Sequence, residues 1–447
     1  MKEGSLEAPT RHPLGWQDES FYDPEKLDAE LRRVGEICHL CRRCFNLCDS
    51  FPRLFDLIDN SESGELDSVS SDGFKAVVDA CTLCDMCFMT KCPYVPPHEF
   101  NVDFPHLMLR YRAVEQRAGK VGLIDRKLND TDANGRLLGS PLAPLANWAS
   151  DVGNRVTRPL MEKVTGIHRD AALPKYHGKT FMKRARETKP EVNRAAPAFG
   201  RKAAIYATCF INYNDPETGL LARRVLAHNG VETEVVYPSC CGMPQLEQGD
   251  IANVAERARR VAVELGTWID QGYDIVAMVP SCALMLKSEW PLIVPDDPAV
   301  KRLAAHTSDI SEYLVDIGKT EGFAPGLKPL DGGVTVHLAC HARAQNIGAK
   351  AADLLRLIPE TDVAVIERCS GHGGAWGVHK ENFETALKVG KPVARQAASN
   401  GKAHLSSECP LAATHILQGL ERIEGATVPA VAPHPVVLLA RAYGFTD

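Results

Sequence analysis

Two stretches decide the reading: Cys38-His-Leu-Cys41-Arg-Arg-Cys44-Phe-Asn-Leu-Cys48 and Cys81-Thr-Leu-Cys84-Asp-Met-Cys87-Phe-Met-Thr-Lys-Cys92-Pro93. Thiolates at i, i+3 and i+6 fold round one face of a cubic iron-sulfur cluster. A fourth, set further along, is carried to the neighbouring cluster. The two runs supply eight sulfurs, Cys38, Cys41, Cys44, Cys48, Cys81, Cys84, Cys87 and Cys92, which two [4Fe-4S] clusters require. Zinc would want paired Cys-x-x-Cys arms, usually with His, and gives no reason for a third Cys at i+6. The expected pairing is crossed, with Cys48 serving the cluster of Cys81, Cys84 and Cys87, and Cys92 that of Cys38, Cys41 and Cys44.

The rest of the composition fits a reducing compartment. The N-terminus, MKEGSLEAPT, has no apolar core and does not read as an export signal, so the fifteen cysteines read as metal ligands rather than disulfides. An apolar content of 45% and a charged content of 24% over 447 residues suit a multi-domain globular protein. The net charge of -6, with no basic arm carrying interleaved aromatics, excludes a nucleic-acid binder. The most apolar stretch, residues 137–150, is short for a membrane span and broken by Pro141 and Pro144. The expectation is a cytoplasmic protein whose contact with the inner face of a membrane, if made, is peripheral and partner-mediated.

Residues 1–22 form an N-terminal extension. Asp23-Pro24 starts a helix, a capping carboxylate before proline at the first helical position, and Leu27, Leu31 and Val34 repeat at helical spacing up to Cys38. Leu54, Phe55, Leu57 and Ile58 suggest a short helix, residues 60–73 a loop, and Phe74 to Ala80 a helix delivering the second run. With no strand signal, residues 23–110 read as an all-α, ferredoxin-like two-cluster module. Residues 111–200 read as a helical connector. Within it, residues 145–165 present Trp148, Val152, Val156, Leu160, Met161 and Val164 at amphipathic spacing, expected to pack on the protein itself. Residues 182–202 read as a basic, solvated linker.

From residue 201 the texture becomes α/β. Ala203 to Thr208, Thr233 to Tyr237 and Asp274 to Val279 read as strands ending at Cys209, Cys240-Cys241-Gly242 and Cys282. Val334 to Leu338, Val363 to Glu367 and Ala403 to Ser406 end at Cys340, Cys369-Ser370-Gly371 and Cys409. The matching order makes residues 201–330 and 331–447 a duplicated pair of α/β domains with parallel sheets, each cysteine at the sheet edge where ligands collect. No Gly-x-Gly-x-x-Gly follows a strand, so a separate dehydrogenase must collect electrons.

The Cys…Cys-Cys-Gly…Cys repeats resemble the domains of the heterodisulfide reductase B subunit family. The whole plan resembles the C subunit of anaerobic glycerol-3-phosphate dehydrogenases and the iron-sulfur subunits of lactate and glycolate oxidases. His337-Leu-Ala-Cys340-His341, Cys369-Ser-Gly371-His-Gly-Gly374-Ala-Trp376-Gly377, Lys380-Glu-Asn382 and His434-Pro435 strengthen that resemblance. It implies an electron-transfer subunit working between a flavoprotein dehydrogenase or other redox protein and an acceptor such as quinone or a membrane-bound carrier. It also implies a cluster site at Cys209, Cys240, Cys241 and Cys282. The family's Cys-x-x-Cys ending is absent from both repeats, and Ser370 replaces the adjacent cysteine in the second. Hydroxyl is a poor iron ligand beside thiolate, so the site of Cys340, Cys369 and Cys409 is expected to be empty or labile. The competing reading is a catalyst that cleaves a disulfide at the first Cys-Cys-Gly site.

Overall fold

The computed structural model describes residues 3–445. Asp23 accepts the Glu25 and Lys26 N–H groups at 2.9 and 3.1 Å and opens the helix Pro24–Cys41. Its buried face, Leu27, Leu31 and Val34, shares one core with Phe51, Leu54, Phe55 and Ile58 of the helix Ser50–Asp59 and with Phe74, Val77 and Val78 of Phe74–Ala80. A further helix, Phe104–Arg117, closes this layer with Leu107, Met108 and Leu109.

Residues 202 onward build two open parallel sheets. The first contains β1 (Lys202–Tyr206), β2 (Glu232–Val236), β3 (Asp274–Ala277) and β4 (Thr307–Asp309), in the order β2-β1-β3-β4. The second contains β5 (Val334–His337), β6 (Val363–Ile366) and β7 (His404–Ser407), in the order β6-β5-β7. In each, the first strand lies between the next two. Ala203 is in register with Thr233 and Asp274, and Val334 with Val363 and His404. The chain therefore leaves the first strand on one side and returns on the other, which opens a crevice at the carboxyl ends.

Among the described residues, six of the seven strands fall where the sequence reading puts them, within a residue or two. The seventh, β4, was missed. It is three residues long and its sequence, Thr-Ser-Asp, has no apolar alternation, so only its pairing with β3 makes it a strand.

The connector departs further from expectation. Residues 145–165 are not one helix but two, Ala143–Ala149 and Thr157–Thr165. Their apolar side chains do not pack on the body: Trp148 is 58% exposed, Val156 79% and Leu160 62%. The buried group is instead Arg158, whose guanidinium donates to the carbonyls of Arg169, His168 and Ala171 at 2.8, 2.7 and 2.6 Å. Hydropathy spacing fails where a charged side chain finds three carbonyl acceptors. The basic linker also corrects: it includes the helix Phe181–Glu187, with Phe181 and Ala185 buried. Arg184 pairs there with Glu217, and Lys189 pairs with Glu234 at 2.6 Å.

The N-terminal extension is tied down as a strap. The Leu14 N–H donates to the Leu292 carbonyl at 2.8 Å and the Trp16 indole to that of Ile293 at 2.7 Å. Between them and the two-cysteine-run layer, Arg11 meets Asp85 at 2.8 Å, Asp103 at 2.9 Å and Glu289 at 3.1 Å, with its guanidinium 4.6 Å from the Phe88 ring centre.

Candidate functional site

The first repeat brings its four thiols together. Cys209 follows β1, Cys240 and Cys241 follow β2, and Cys282 follows β3. Cys209 and Cys240 sulfurs are 3.8 Å apart, and those of Cys241 and Cys282 are 3.3 Å apart. Gly242 takes φ 87°, a left-handed turn that glycine adopts without strain and that lets two adjacent cysteines face one crevice. The Trp290 indole donates to the Cys241 carbonyl at 3.1 Å and the Tyr206 hydroxyl to the Ser239 carbonyl at 2.6 Å, fixing the turn from behind.

A residue the sequence reading passed over closes this crevice. Thr131, at the start of the helix Thr131–Leu138, points its hydroxyl at Cys209 Sγ (3.4 Å) and Cys240 Sγ (3.6 Å). The next residue, Asp132, accepts from the hydroxyls of Tyr213 (3.0 Å) and Tyr237 (2.9 Å), and locks the helix down. A side chain at Gly135 would collide with the Tyr213 ring, so the helix lies flat on the site. Hydrogen bonding with Cys209 and Cys241, then with the Gly242 N–H and Thr131, holds the Cys240 thiol well below its usual value. Burial drives Tyr237 the other way, and it stays a neutral donor.

The N-terminal cysteines fall into two groups. Cys38, Cys41, Cys44 and Cys92 line one pocket, walled by Ile37, Phe51, Phe55 and Val102. Burial, then the charges of Cys92 and Cys41, push Cys44 up to about 12, against Lys91 and Arg43. In the other group, burial and then the charges of Cys84 and Cys81 raise Cys48, and burial followed by those of Cys84, Cys81, Cys44 and Cys48 raises Cys87. Nearby backbone N–H groups work against burial and lower these thiols, those of Leu83 for Cys81, Met86 for Cys84, and Ser50 and Phe51 for Cys48. Four residues precede Cys92 where three precede Cys48, and a wide turn over Cys87–Lys91 takes up the difference, with the Cys92 N–H on the Cys87 carbonyl at 2.8 Å. Arg112, which donates to the carbonyls of Cys81, Val78 and Glu247, ties this group to the first sheet domain.

In the second repeat Cys340, Cys369 and Cys409 also converge. Burial, then the charges of Cys84, Cys369 and Cys409, raise Cys340, and Cys84 itself is pushed up to about 12 by burial and then by Cys369. Cys340 and Cys369 therefore sense the charge of Cys84 of the second run. The Gly371 N–H reaches Cys369 Sγ at 3.3 Å, and a side chain at Gly371, φ 80°, would strike the Ala386 carbonyl. Among the described residues, no three His, Cys, Asp or Glu side chains are drawn in as tightly as a single ion would need.

The cysteine-rich domain model, CCG, matches residues 203–287 and 334–416. Lactate utilization protein A of Geobacillus kaustophilus is 30% identical over 192 residues, 40% of this chain and 74% of the relative. The chain belongs to the CCG family. The C subunit of the anaerobic glycerol-3-phosphate dehydrogenase of Escherichia coli (strain K12) is 28% identical over 326 residues, 70% of this chain and 76% of the relative. An uncharacterized iron-sulfur protein of Methanococcus maripaludis is 27% identical over 228 residues, 49% of this chain and 42% of the relative. The two matched segments contain every cysteine beyond residue 200, and the relatives support an iron-sulfur protein of the electron-transferring oxidoreductase class.

Two histidines beside the cysteines of the second CCG domain, His337 and His341, have both ring nitrogens engaged. His337 meets Ser407 and the Arg368 carbonyl at 3.0 Å each, and burial lowers its pKa to about 4. His341 bridges Ser281 (3.0 Å) and the Leu83 carbonyl (3.3 Å), and Nδ1 of His434 accepts the Val436 N–H at 3.1 Å. These rings brace the turns round the cysteines.

Proposed function

We propose that this chain is the electron-relay subunit of a larger oxidoreductase, with a ferredoxin-like N-terminal module (residues 23–110) and two CCG domains (residues 201–330 and 331–447). The observation that carries the reading is the convergence of cysteines from distant segments into separate sulfur groups: Cys38, Cys41, Cys44 and Cys92; Cys48, Cys81, Cys84 and Cys87; and Cys209, Cys240, Cys241 and Cys282. Bound iron-sulfur clusters, of the [4Fe-4S] type in the N-terminal module, would supply one-electron carriers. The protein's own part is to hold the sulfurs, shield them and set their charge. Leu83, Met86 and Gly242 N–H groups and the Thr131 hydroxyl meet negative sulfur. Ile37, Phe51, Phe55 and the flat helix Thr131–Leu138 exclude water.

The partner that exchanges electrons with the chain is a redox protein, of which a flavoprotein dehydrogenase is the leading class, and quinone is the leading acceptor. Contact with the inner face of a membrane, where made, is peripheral and partner-mediated; no helix among the described residues is long and apolar enough to cross a membrane. Redox titration of the anaerobically purified protein tests the relay: reversible one-electron signals from at least the N-terminal sites are expected, and sites that do not cycle would refute it. Turnover of a small disulfide with a reduced viologen would replace the relay by the disulfide-cleaving catalyst.

A further inference from the structure

The turn that presents Cys41 and Cys44 is the most exposed of the cysteine-bearing turns. Leu40 is 60% exposed and Phe45 49%; Arg42, Arg43 and Lys91 beside them are exposed as well. Elsewhere the apolar neighbours of the cysteines are covered, and the exposed Glu367 and Arg368 before Cys369 bring no exposed large apolar side chain with them. Leu83, Met86 and Phe88 are buried around the second run, Ser239 and Met243 in the first CCG domain, and Ser370, His372 and Glu408 in the second. An electron that crosses between proteins must do so where a redox site nears the surface, and this face combines that approach with exposed apolar side chains.

The charge of the face is specific. Arg42 is held by Asp59 and lies 5.2 Å from the Phe55 ring centre. Arg43 and Lys91 form no ion pair among the described residues, and both lie close enough to act on the Cys44 sulfur. In a chain of net charge -6, two unpaired cations beside two exposed apolar side chains run against the average surface. An apolar centre with a charged rim is the make-up of a transient protein interface, and the sign of the rim selects its partner.

We propose that Leu40, Phe45, Arg43 and Lys91 form the docking face for an acidic one-electron carrier protein, which exchanges electrons at the site of Cys38, Cys41, Cys44 and Cys92. This rests on the reading of those cysteines as a redox-active site. Each encounter moves one electron: the carrier's reduced centre loses it, the four-cysteine site gains it, and no bond or proton changes place. Cationic steering speeds the encounter at low ionic strength and fades as salt screens it.

Anaerobic stopped-flow reduction of the full chain tests this with two probes, reduced plant-type [2Fe-2S] ferredoxin as the acidic carrier and a zwitterionic viologen as a neutral one. The readout is the ratio of the two rates, so that a change in the site itself cancels. In the wild type the ratio should fall steeply with salt. In the Arg43→Glu/Lys91→Glu double variant it should be about tenfold lower at low salt and rejoin the wild type at high salt. Phe45→Ser should lower the ratio at every salt concentration. A ratio indifferent to the charge reversal, with normal viologen reduction, overturns the docking face alone. A wild-type chain that the viologen cannot reduce overturns the relay reading and the docking face with it.

Discussion

Thr131 is the residue that most changes the picture of the first CCG site. Its hydroxyl, 3.4 and 3.6 Å from two sulfurs, stabilises the more negative, reduced state of whatever the sulfurs hold, because donors to sulfur raise a cluster's potential. Thr131→Val keeps the shape, and leaves the Asp130 cap on the Ala133 N–H at 3.2 Å untouched. It should shift the potential of that site downward in an EPR-monitored titration, and Thr131→Ser should restore it. An unmoved potential in the Val variant would show the hydroxyl to be a bystander. Cys48 is the second telling position. Its sulfur is set among those of Cys84 and Cys81, so Cys48→Ser should damage the spectrum of the Cys81, Cys84, Cys87 site. Cys92→Ser should damage that of Cys38, Cys41 and Cys44. If Cys48→Ser perturbs only the latter, the crossed pairing is wrong.

At the level of elements, the end of β4 stores a pH dependence. Asp309 caps the helix Ile310–Thr320 by accepting the Ser311 N–H at 2.8 Å, yet its other carboxylate oxygen has no partner and it is 1% exposed. Burial, only partly offset by Ser311 and Lys287, raises its pKa to about 6, and its neighbour Glu408 is raised as well. The folded value lies above the unfolded one of about 3.9, so the protonated form favours the fold. That contribution is whole below about pH 4 and lost as pH rises through about 6, a change of up to about 3 kcal/mol. Asp309→Asn keeps the cap and should remove this slope. Its denaturation midpoint relative to the wild type should therefore climb between about pH 4 and pH 6 and level off above, and a constant difference would refute the assignment. β4 also marks the limit of what the sequence discloses. The other strands were legible because buried parallel strands are continuous apolar runs, as Ala203 to Tyr206 are, each stopped by a cysteine turn. β4 lacks that run. The two short helices of residues 143–165 misled for the opposite reason: their apolar spacing is real, but the interior they flank is satisfied by Arg158. The Thr131 contact carried no signal at all, since nothing in Asp-Thr-Asp tells that two tyrosines eighty and more residues away will hold it onto the sulfurs.

For the whole molecule, each sulfur group feels the charge of a neighbouring one. Cys44 is among the charges that act on Cys87, Cys84 adjoins Cys369 and Cys340, and Cys282 acts on Cys409. Three of the four groups offer four thiols, and the second CCG domain offers three with Ser370 in place of the fourth. Iron and acid-labile sulfide analysis should give about twelve irons per chain, four for each complete group. A stable yield near sixteen would mean that the three-thiol group is filled too, its position beside Cys84 then being the place to seek the missing ligand. The strap through Arg11 adds a condition on how such a molecule is made. Arg11 leaves the ribosome before all of its partners: Asp85, Asp103 and Glu289 follow 74, 92 and 278 residues later. At about 5–20 residues per second, the last arrives on the order of tens of seconds after the first segment. Until then the seam between the N-terminal cysteine layer and the first sheet stands open, leaving the nascent chain a window in which metal can be delivered before the N-terminus shuts it in.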